Sequence, residues 1–456
     1  MSAAGRVAVV GGGIAGLAAA RELAAEGAEV VVHEAAGRLG GKIETTDVDG
    51  RPVDAGADAF LAGVPHAVEL CRSLGIEGEL VSPATGSASL WLHGRLRPLP
   101  DGLVLGVPTR FGPVAASGIL SLAGLARVAA EPGLPGEPLH DGEDEAVGAL
   151  VRRRFGPEVH ERLVDPLLGG INAGRTEELS VEVGAARLAA VARRSRSLVL
   201  GLRGARREAA ASSAVAGPVF YAPRSGVGRL VEALAADLAR RGVVVRLGSP
   251  VRSLDELDAD GFVVATEAGP AARLLEGRSP EAAELIGAVG YASVVLVTLV
   301  YPAAAFAAEP ARSGFLVPRL EGRLLTAVSF GSNKWPHWAG PGTVVVRASA
   351  GRYGDERALA LSDEALVAAV RDELGLMAGA AGEPVETRVS RWPSAFPQFR
   401  PGHLARLARI EAALARDSRP LAVAGAWTRG VGIPTCIASG QGAARQVLAT
   451  IVGAGR

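Results

Sequence analysis

The run Gly11-Gly12-Gly13-Ile14-Ala15-Gly16 constrains this chain more than any other feature. It follows a short apolar run, Val7-Ala8-Val9-Val10, and opens Leu17-Ala18-Ala19-Ala20-Arg21-Glu22-Leu23, a strong helix former. A second apolar run, Glu29-Val30-Val31-Val32-His33-Glu34, ends in an acid. Strand, glycine turn, helix, strand, acid is the order of a Rossmann-like dinucleotide-binding unit. Gly11 permits the tight turn, Gly13 lets the backbone approach a pyrophosphate, and Gly16 lets helix pack closely on strand. The helix start at Ile14 and Ala15 offers unpaired N–H groups and a partial positive charge to the phosphates. Glu34, 18 positions after Gly16, stands where a carboxylate can bind ribose hydroxyls. An acid there, not an arginine, argues against a 2′-phosphate, so NADP is disfavoured. The bland alternative is a purely structural glycine turn; the strands, helix and terminal acid together argue against it.

Length and composition bound the rest. The 456 residues suggest roughly two to four domains. With 48% hydrophobic and 21% charged residues, the chain can bury a large core and is not a disordered one. Basic and acidic residues balance at 48 each, which disfavours nucleic acid as a partner. Only Lys42 and Lys334 are lysines; the arginine, alanine and glycine content points to a GC-rich genome and not to a physical need. The two cysteines, Cys71 and Cys436, cannot build a disulfide framework, which fits a reduced, cytosolic compartment. No basic, cleavable signal segment separates Met1 from the first strand. Ile286–Ala307 carries no charge and is nearly long enough to span a bilayer. Its β-branched centre, Ser293–Val300, and the nearby Pro302 make it a buried strand instead. Leu103–Ala130 is apolar but broken by Pro108, Arg110, Pro113 and Arg127, so it can lie on a membrane surface but not cross it.

Directly after Glu34 and Ala35 comes Gly37-Arg38-Leu39-Gly40-Gly41-Lys42. Tight glycines flank an arginine whose planar guanidinium can reach the pyrophosphate. Gly56-Ala57-Asp58-Ala59-Phe60-Leu61 follows Val53-Asp54. Here the chain resembles the flavin-dependent amine-oxidase and protoporphyrinogen-oxidase superfamily, whose members hold FAD with an acid followed by Gly-Arg-x-Gly-Gly. In that resemblance Gly56–Ala59 is a further FAD turn, and Val251 meets the adenine through its backbone. The bland alternatives are a solvated turn residue for Asp54 and a buried valine at 251.

The C-terminal end returns to the flavin. Pro420–Gly425 is a strand ending in glycine, and a helix starts near Pro434. Gly430-Val431-Gly432-Ile433-Pro434-Thr435-Cys436 with Ser439-Gly440 resembles the flavin-end motif of protoporphyrinogen and coproporphyrinogen oxidases. A helix start at Gly432–Pro434 suits the negative charge that a reduced flavin develops. Cys436 reads as an inert small hydrophobe, so FAD is expected to be non-covalent.

The fold expected is α/β: a discontinuous Rossmann-like FAD-binding domain with an inserted mixed α+β substrate-binding domain and a helical, possibly membrane-touching, subdomain. Its FAD-binding parts are 1–80, 222–280 and 388–456; residues 81–221 form a helical insertion and 281–387 a strand-rich one. Substrate is expected to enter between the insertions and the flavin, since ligand sites form where domains meet. Gly204–Ala216 is expected to be a mobile loop.

Two further segments match the porphyrinogen oxidases: Pro166–Gly174 with Leu179-Ser180, and Arg391–Phe399 with Gly402-His403. The first places Gly169, Gly170, Ile171 and Asn172 at the substrate; Asn172 stands where relatives often have an aromatic residue. Only His66 can replace a basic residue that relatives carry after Phe60-Leu61. His403 is read as structural or gating, not as the base.

The resemblance implies oxidation of a porphyrinogen to a porphyrin by flavin and dioxygen, with peroxide as by-product. Six electrons leave in three steps, each able to pass a hydride from a meso carbon to flavin N5. The cofactor carries the chemistry, so no catalytic side chain and no metal is expected. The composition suits an actinobacterial member, for which coproporphyrinogen III is the expected substrate and protoporphyrinogen IX the alternative. An amine oxidase or carotenoid desaturase on the same scaffold remains open, though only Lys334 could then serve near the flavin. So does a non-catalytic FAD-binding scaffold.

Overall fold

A computed structural model describes residues 5–135, 137–212, 217–306 and 310–454. They form two compact units: one from residues up to Ser82, Pro218–Gly290 and Leu404 onward, the other from Pro83–Gly217 and Tyr291–His403.

The first unit is built on a five-stranded parallel sheet. Its spatial order is Val244–Arg246, Glu29–His33, Arg6–Val10, Gly261–Val264 and Leu421–Val423. Val7 to Val10 are all buried, as an apolar run without alternation must be when helices cover both faces. The helix Ile14–Ala25 returns the chain between the first two strands. Along it packs the C-terminal helix Ile433–Ala454, and a Cβ on Gly440 would lie 2.0 Å from the Ala15 carbonyl oxygen. Only glycine allows that approach. Asp237, on the helix Gly228–Arg240, accepts from Arg21 Nε (2.9 Å) and Arg241 Nε (2.7 Å). Burial works against its charge, yet these hydrogen bonds hold its carboxyl below the usual carboxylate range.

The second unit centres on a seven-stranded sheet. In spatial order it runs Glu386–Pro397, Tyr291–Pro302, Thr343–Ala350, Leu325–Phe330, Gly314–Leu316, Ala88–Leu92 and Arg95–Pro98. All neighbours are antiparallel except Gly314–Leu316 beside Ala88–Leu92. One face of it carries a large core, with Val295, Val297 and Leu299 at its centre. The uncharged run is therefore a strand, preceded by the helix Pro280–Gly287. No helix among the described residues is long and apolar enough to cross a membrane. Leu103–Ala130 folds as two short strands and the helices Phe111–Ser117 and Leu122–Ala130, without support for the membrane contact expected of it.

Several expectations change. The two insertions share one sheet, because Ala88–Leu92 from the first pairs with Gly314–Leu316 from the second. Residues 388–403 group with this sheet and not with the FAD-binding parts, since Glu386–Pro397 is its edge strand. An edge strand pairs on one side only and tolerates polar residues, so Arg388, Arg391 and Ser394 hid it. Residues 281–290 group with the parallel sheet. Gly204 onward is not a loop but part of the helix Leu198–Ser212, whose arginines, alanines and glutamate are good helix formers; 213–216 lie outside the described residues.

Candidate functional site

The glycine turn has the conformation its sequence requires. Gly11 has φ +111°, and a Cβ there would lie 2.7 Å from the Ala265 carbonyl oxygen. A Cβ on Gly16 would lie 1.9 Å from the Gly11 carbonyl oxygen, so helix and strand meet at a spacing open to glycine alone. Gly13 is different, for a Cβ there would meet nothing within 4 Å. The space it leaves open lies at the start of the helix Ile14–Ala25, which has no side-chain cap. The amides of Ala15 and Gly16 donate to no described group. Open space plus undonated amides at a helix start is a cradle for phosphate oxygens.

Glu34 directly follows the strand Glu29–His33, and accepts from Gly12 N–H on Oε2 (2.6 Å) and from Ala36 N–H on Oε1 (2.7 Å). Each oxygen keeps a lone pair for a ribose hydroxyl. Gly12 N–H thus ties the acid to the turn, and Leu39 crowds the same glycine. Ala35 and Gly37 are exposed beyond it. Gly40 and Gly41 have φ +101° and +58°, and Gly40 N–H donates to the Gly12 carbonyl. Arg38 is committed inside this loop. It donates to the carbonyls of Leu39, Ile43 and Gly41 and pairs with Glu44 at 3.3 Å. The guanidinium expected on the pyrophosphate therefore shapes the loop that flanks it. Lys42 pairs with Glu267 at 2.6 Å.

Asp54 is neither solvated nor a turn residue: it is 1% exposed. It accepts from the Thr45 hydroxyl and from Val227 N–H (2.9 Å), fastening strand Arg51–Asp54 to the start of helix Gly228–Arg240. Sequence missed this fastening because its partner lies 173 positions away. Gly56, Ala57, Asp58 and Ala59 follow as a partly exposed bend. Val251 is half-buried, and its backbone N–H and C=O meet no described partner. That leaves the peptide edge free for an adenine. Gly425 has φ +122°, and its N–H donates to Ser439 Oγ (3.0 Å). Gly432, Ile433 and Pro434 open the C-terminal helix, as expected. Inside it, burial pushes the Cys436 thiol up to about 12, so it stays protonated and unreactive. These features fit a bound dinucleotide. They all lie in the first unit.

The candidate substrate residues divide. His66 is half-exposed on the helix Pro65–Ser73 of the first unit. Gly169 to Asn172 belong to the second unit, at the end of a π-helix, His160–Gly169. Pro166 inside that helix lacks an N–H and so removes one hydrogen bond from it. Gly170 and Ile171 are exposed, Ile171 at 55%. Asn172 turns inward: its Nδ2 donates to the Leu168 carbonyl at 2.9 Å and its own carbonyl accepts from Gln398 Nε2. Ile171, not Asn172, is the side chain this segment presents. Next to it His160, Asp165 and Glu177 come close enough to hold an ion. The hydrogen bonds argue otherwise. His160 Nδ1 accepts from Arg152 Nε (3.1 Å), and its Nε2 meets Thr176 Oγ1 (2.7 Å), which donates to Asp165 Oδ1. The ring lone pair is used, and a cation already stands beside it.

His403 is buried edge-on against Phe399 at 4.9 Å, a packing role. Lys334 lies in the second unit with its ammonium 5.3 Å from the centre of the Trp335 ring.

The profile of the flavin containing amine oxidoreductase family matches residues 14–448, and the chain belongs to that family. FAD is its cofactor. It is similar to the coproporphyrinogen III oxidase of Bacillus subtilis, 34% identical over 97% of both chains. The bovine protoporphyrinogen oxidase is 30% identical over 97% of this chain and 98% of its own. A crystal structure from Exiguobacterium, provisionally assigned as a protoporphyrinogen oxidase, superposes with a TM-score of 0.87 at 27% identity, covering 99% of each chain.

Proposed function

We propose that the chain oxidises coproporphyrinogen III to coproporphyrin III in haem biosynthesis, in the cytoplasm, with three dioxygen consumed and three hydrogen peroxide released. The similarity to coproporphyrinogen III oxidases along nearly the whole chain carries this reading. When bound, FAD supplies the two-electron oxidation that is repeated three times, with dioxygen as final acceptor.

The chain's own residues bind and orient. The Gly11–Gly16 turn and the amides of Ala15 and Gly16 take the pyrophosphate, and Arg38 fixes the Gly37–Lys42 loop beside them. Glu34 takes the ribose hydroxyls, the Val251 peptide the adenine, and the turn at Gly56–Ala59 a further part. Gly425 and the helix start at Gly432–Pro434 are placed for the flavin end, where a helix N-terminus favours negative charge. No side chain is needed as nucleophile, and the protonated Cys436 supports non-covalent FAD. On the substrate side, Ile171 offers apolar surface beside the exposed Gly170, which leaves room for a flat macrocycle, while Gly169 is buried against Asp165 and Gly174, and His66 is a candidate for one carboxylate.

The test is turnover of both porphyrinogens by the purified yellow protein. Porphyrin fluorescence should appear with three peroxides per porphyrin, and kcat/KM should favour coproporphyrinogen III. A strong preference for protoporphyrinogen IX would reassign the substrate. Peroxide from polyamines with none from porphyrinogens would overturn the reading in favour of an amine oxidase.

A further inference from the structure

Some arginines of the second unit are richly hydrogen-bonded. Arg391 donates to Asp363 and to three carbonyls, and Arg357 to Asp355 and two carbonyls. Others, Arg97, Arg154, Arg319, Arg352 and Arg371, keep an enclosed Nε with no described partner, and of these Arg352 and Arg319 act on each other's charge. Arg352 follows the strand Thr343–Ala350 and is only 9% exposed, yet its side chain donates to no described group. Its Nε is fully enclosed and unpartnered. Arg319 follows the strand Gly314–Leu316; its Nε is likewise enclosed and unpartnered, and its one side-chain bond goes to the Gly174 carbonyl.

The two guanidinium groups repel each other. Burial, then Arg319, pushes Arg352 down to about 10. Burial also lowers Arg319, against the pull of Asp165, Glu177 and Asp355. None of those acids makes a described hydrogen bond to either guanidinium. Asp165 accepts twice from Thr176, Asp355 is paired with Arg357, and Glu177 with Arg152. Exposed Arg175 adds a third positive charge nearby. Arg352 is thus a buried cation without a hydrogen-bonded anion, and the charge of half-buried Arg319 adds to that cost, so a fold that keeps this arrangement has a use for it.

We propose that Arg352 and Arg319 form a carboxylate-binding site for the substrate, beside the turn that follows Gly169–Asn172. The Arg319 bond to Gly174 joins the pair to that segment. A guanidinium meets a carboxylate through two parallel N–H bonds, which neither Asn172 nor His66 can provide. The inference rests on the proposed porphyrinogen substrate, whose propionates are the carboxylates concerned.

The experiment separates the two ideas. Binding of coproporphyrin III and of its uncharged tetraamide is followed by quenching of tryptophan fluorescence in the FAD-loaded protein and in R352Q, R352K and R319Q. The unaltered protein should favour the tetra-acid, and R352Q should lose that preference by roughly tenfold to a hundredfold. With coproporphyrinogen III the loss should fall on KM more than on kcat, and R352K should recover part of it. A folded, FAD-loaded R352Q with unchanged KM and unchanged acid preference overturns the site, as does an R319Q and R352K pair that both match the unaltered protein. Acid preference lost in R352Q, in a protein that turns over no porphyrinogen, supports the site and refutes the proposed activity.

Discussion

At the scale of single residues, Glu34 is bonded to the glycine turn and is the carboxylate we propose for the ribose of FAD. Its oxygens accept from Gly12 and Ala36, so removing it leaves two N–H groups and the ribose without their acceptor. Hydrogen bonds to a charged group are worth about 1.5–3 kcal/mol, so Glu34→Ala should weaken FAD binding roughly tenfold to a hundredfold. The flavin absorbance retained through dialysis, against that of unaltered protein, measures it; undiminished retention would remove Glu34 from the site. This acid was legible in sequence because it lies close to the glycines along the chain. The fastening by Asp54 and the unpaired Arg319 and Arg352 were not. Their partners, or their lack of them, depend on segments far apart in sequence, and the arginine-rich composition disguises which guanidinium groups are enclosed.

At the scale of elements, the π-helix His160–Gly169 carries a group sensitive to acid. His160 is wholly buried and its pKa is lowered by that burial, against the pull of Glu177, Asp165 and Glu161 and with the push of Arg152. In the unfolded chain a histidine titrates near 6.5. Above that value both states are neutral and the fold keeps its full stability. As pH falls below about 6.5, the unfolded chain takes up a proton that the folded chain refuses, so stability declines. His33, lowered by burial and then by Arg246, acts in the same direction. Urea unfolding should therefore show lower stability at pH 5.5 than at pH 7.5, with a shallower dependence in His160→Gln. An equal slope in that variant would exclude His160 as a source. The elements best read from sequence were the uniform apolar runs, such as Val7–Val10 and Ser293–Val300. Edge strand Glu386–Pro397 was not, because one-sided pairing leaves little periodic trace.

At the scale of the whole molecule, the FAD site we propose draws on three stretches of chain that lie far apart in sequence. A ligand bound only by the folded state stabilises it by about 2.7 kcal/mol at a hundredfold excess over Kd. Stripping the flavin should lower the melting temperature, and added FAD should restore it in a concentration-dependent way; an apoprotein that melts with the holoprotein would show that the three stretches hold together unaided. The same layout governs how the chain is made. Strand Arg6–Val10 lies two strands from Leu421–Val423, with Gly261–Val264 between them. At about 5–20 residues per second, the ribosome delivers that last strand roughly 20–80 s after the first. Through that interval the earliest apolar strands emerge with an incomplete sheet to join, and the Ala88–Leu92 strand likewise waits for Gly314–Leu316. Nascent chains of this protein should thus be prime clients for holding chaperones, released when the last segments emerge.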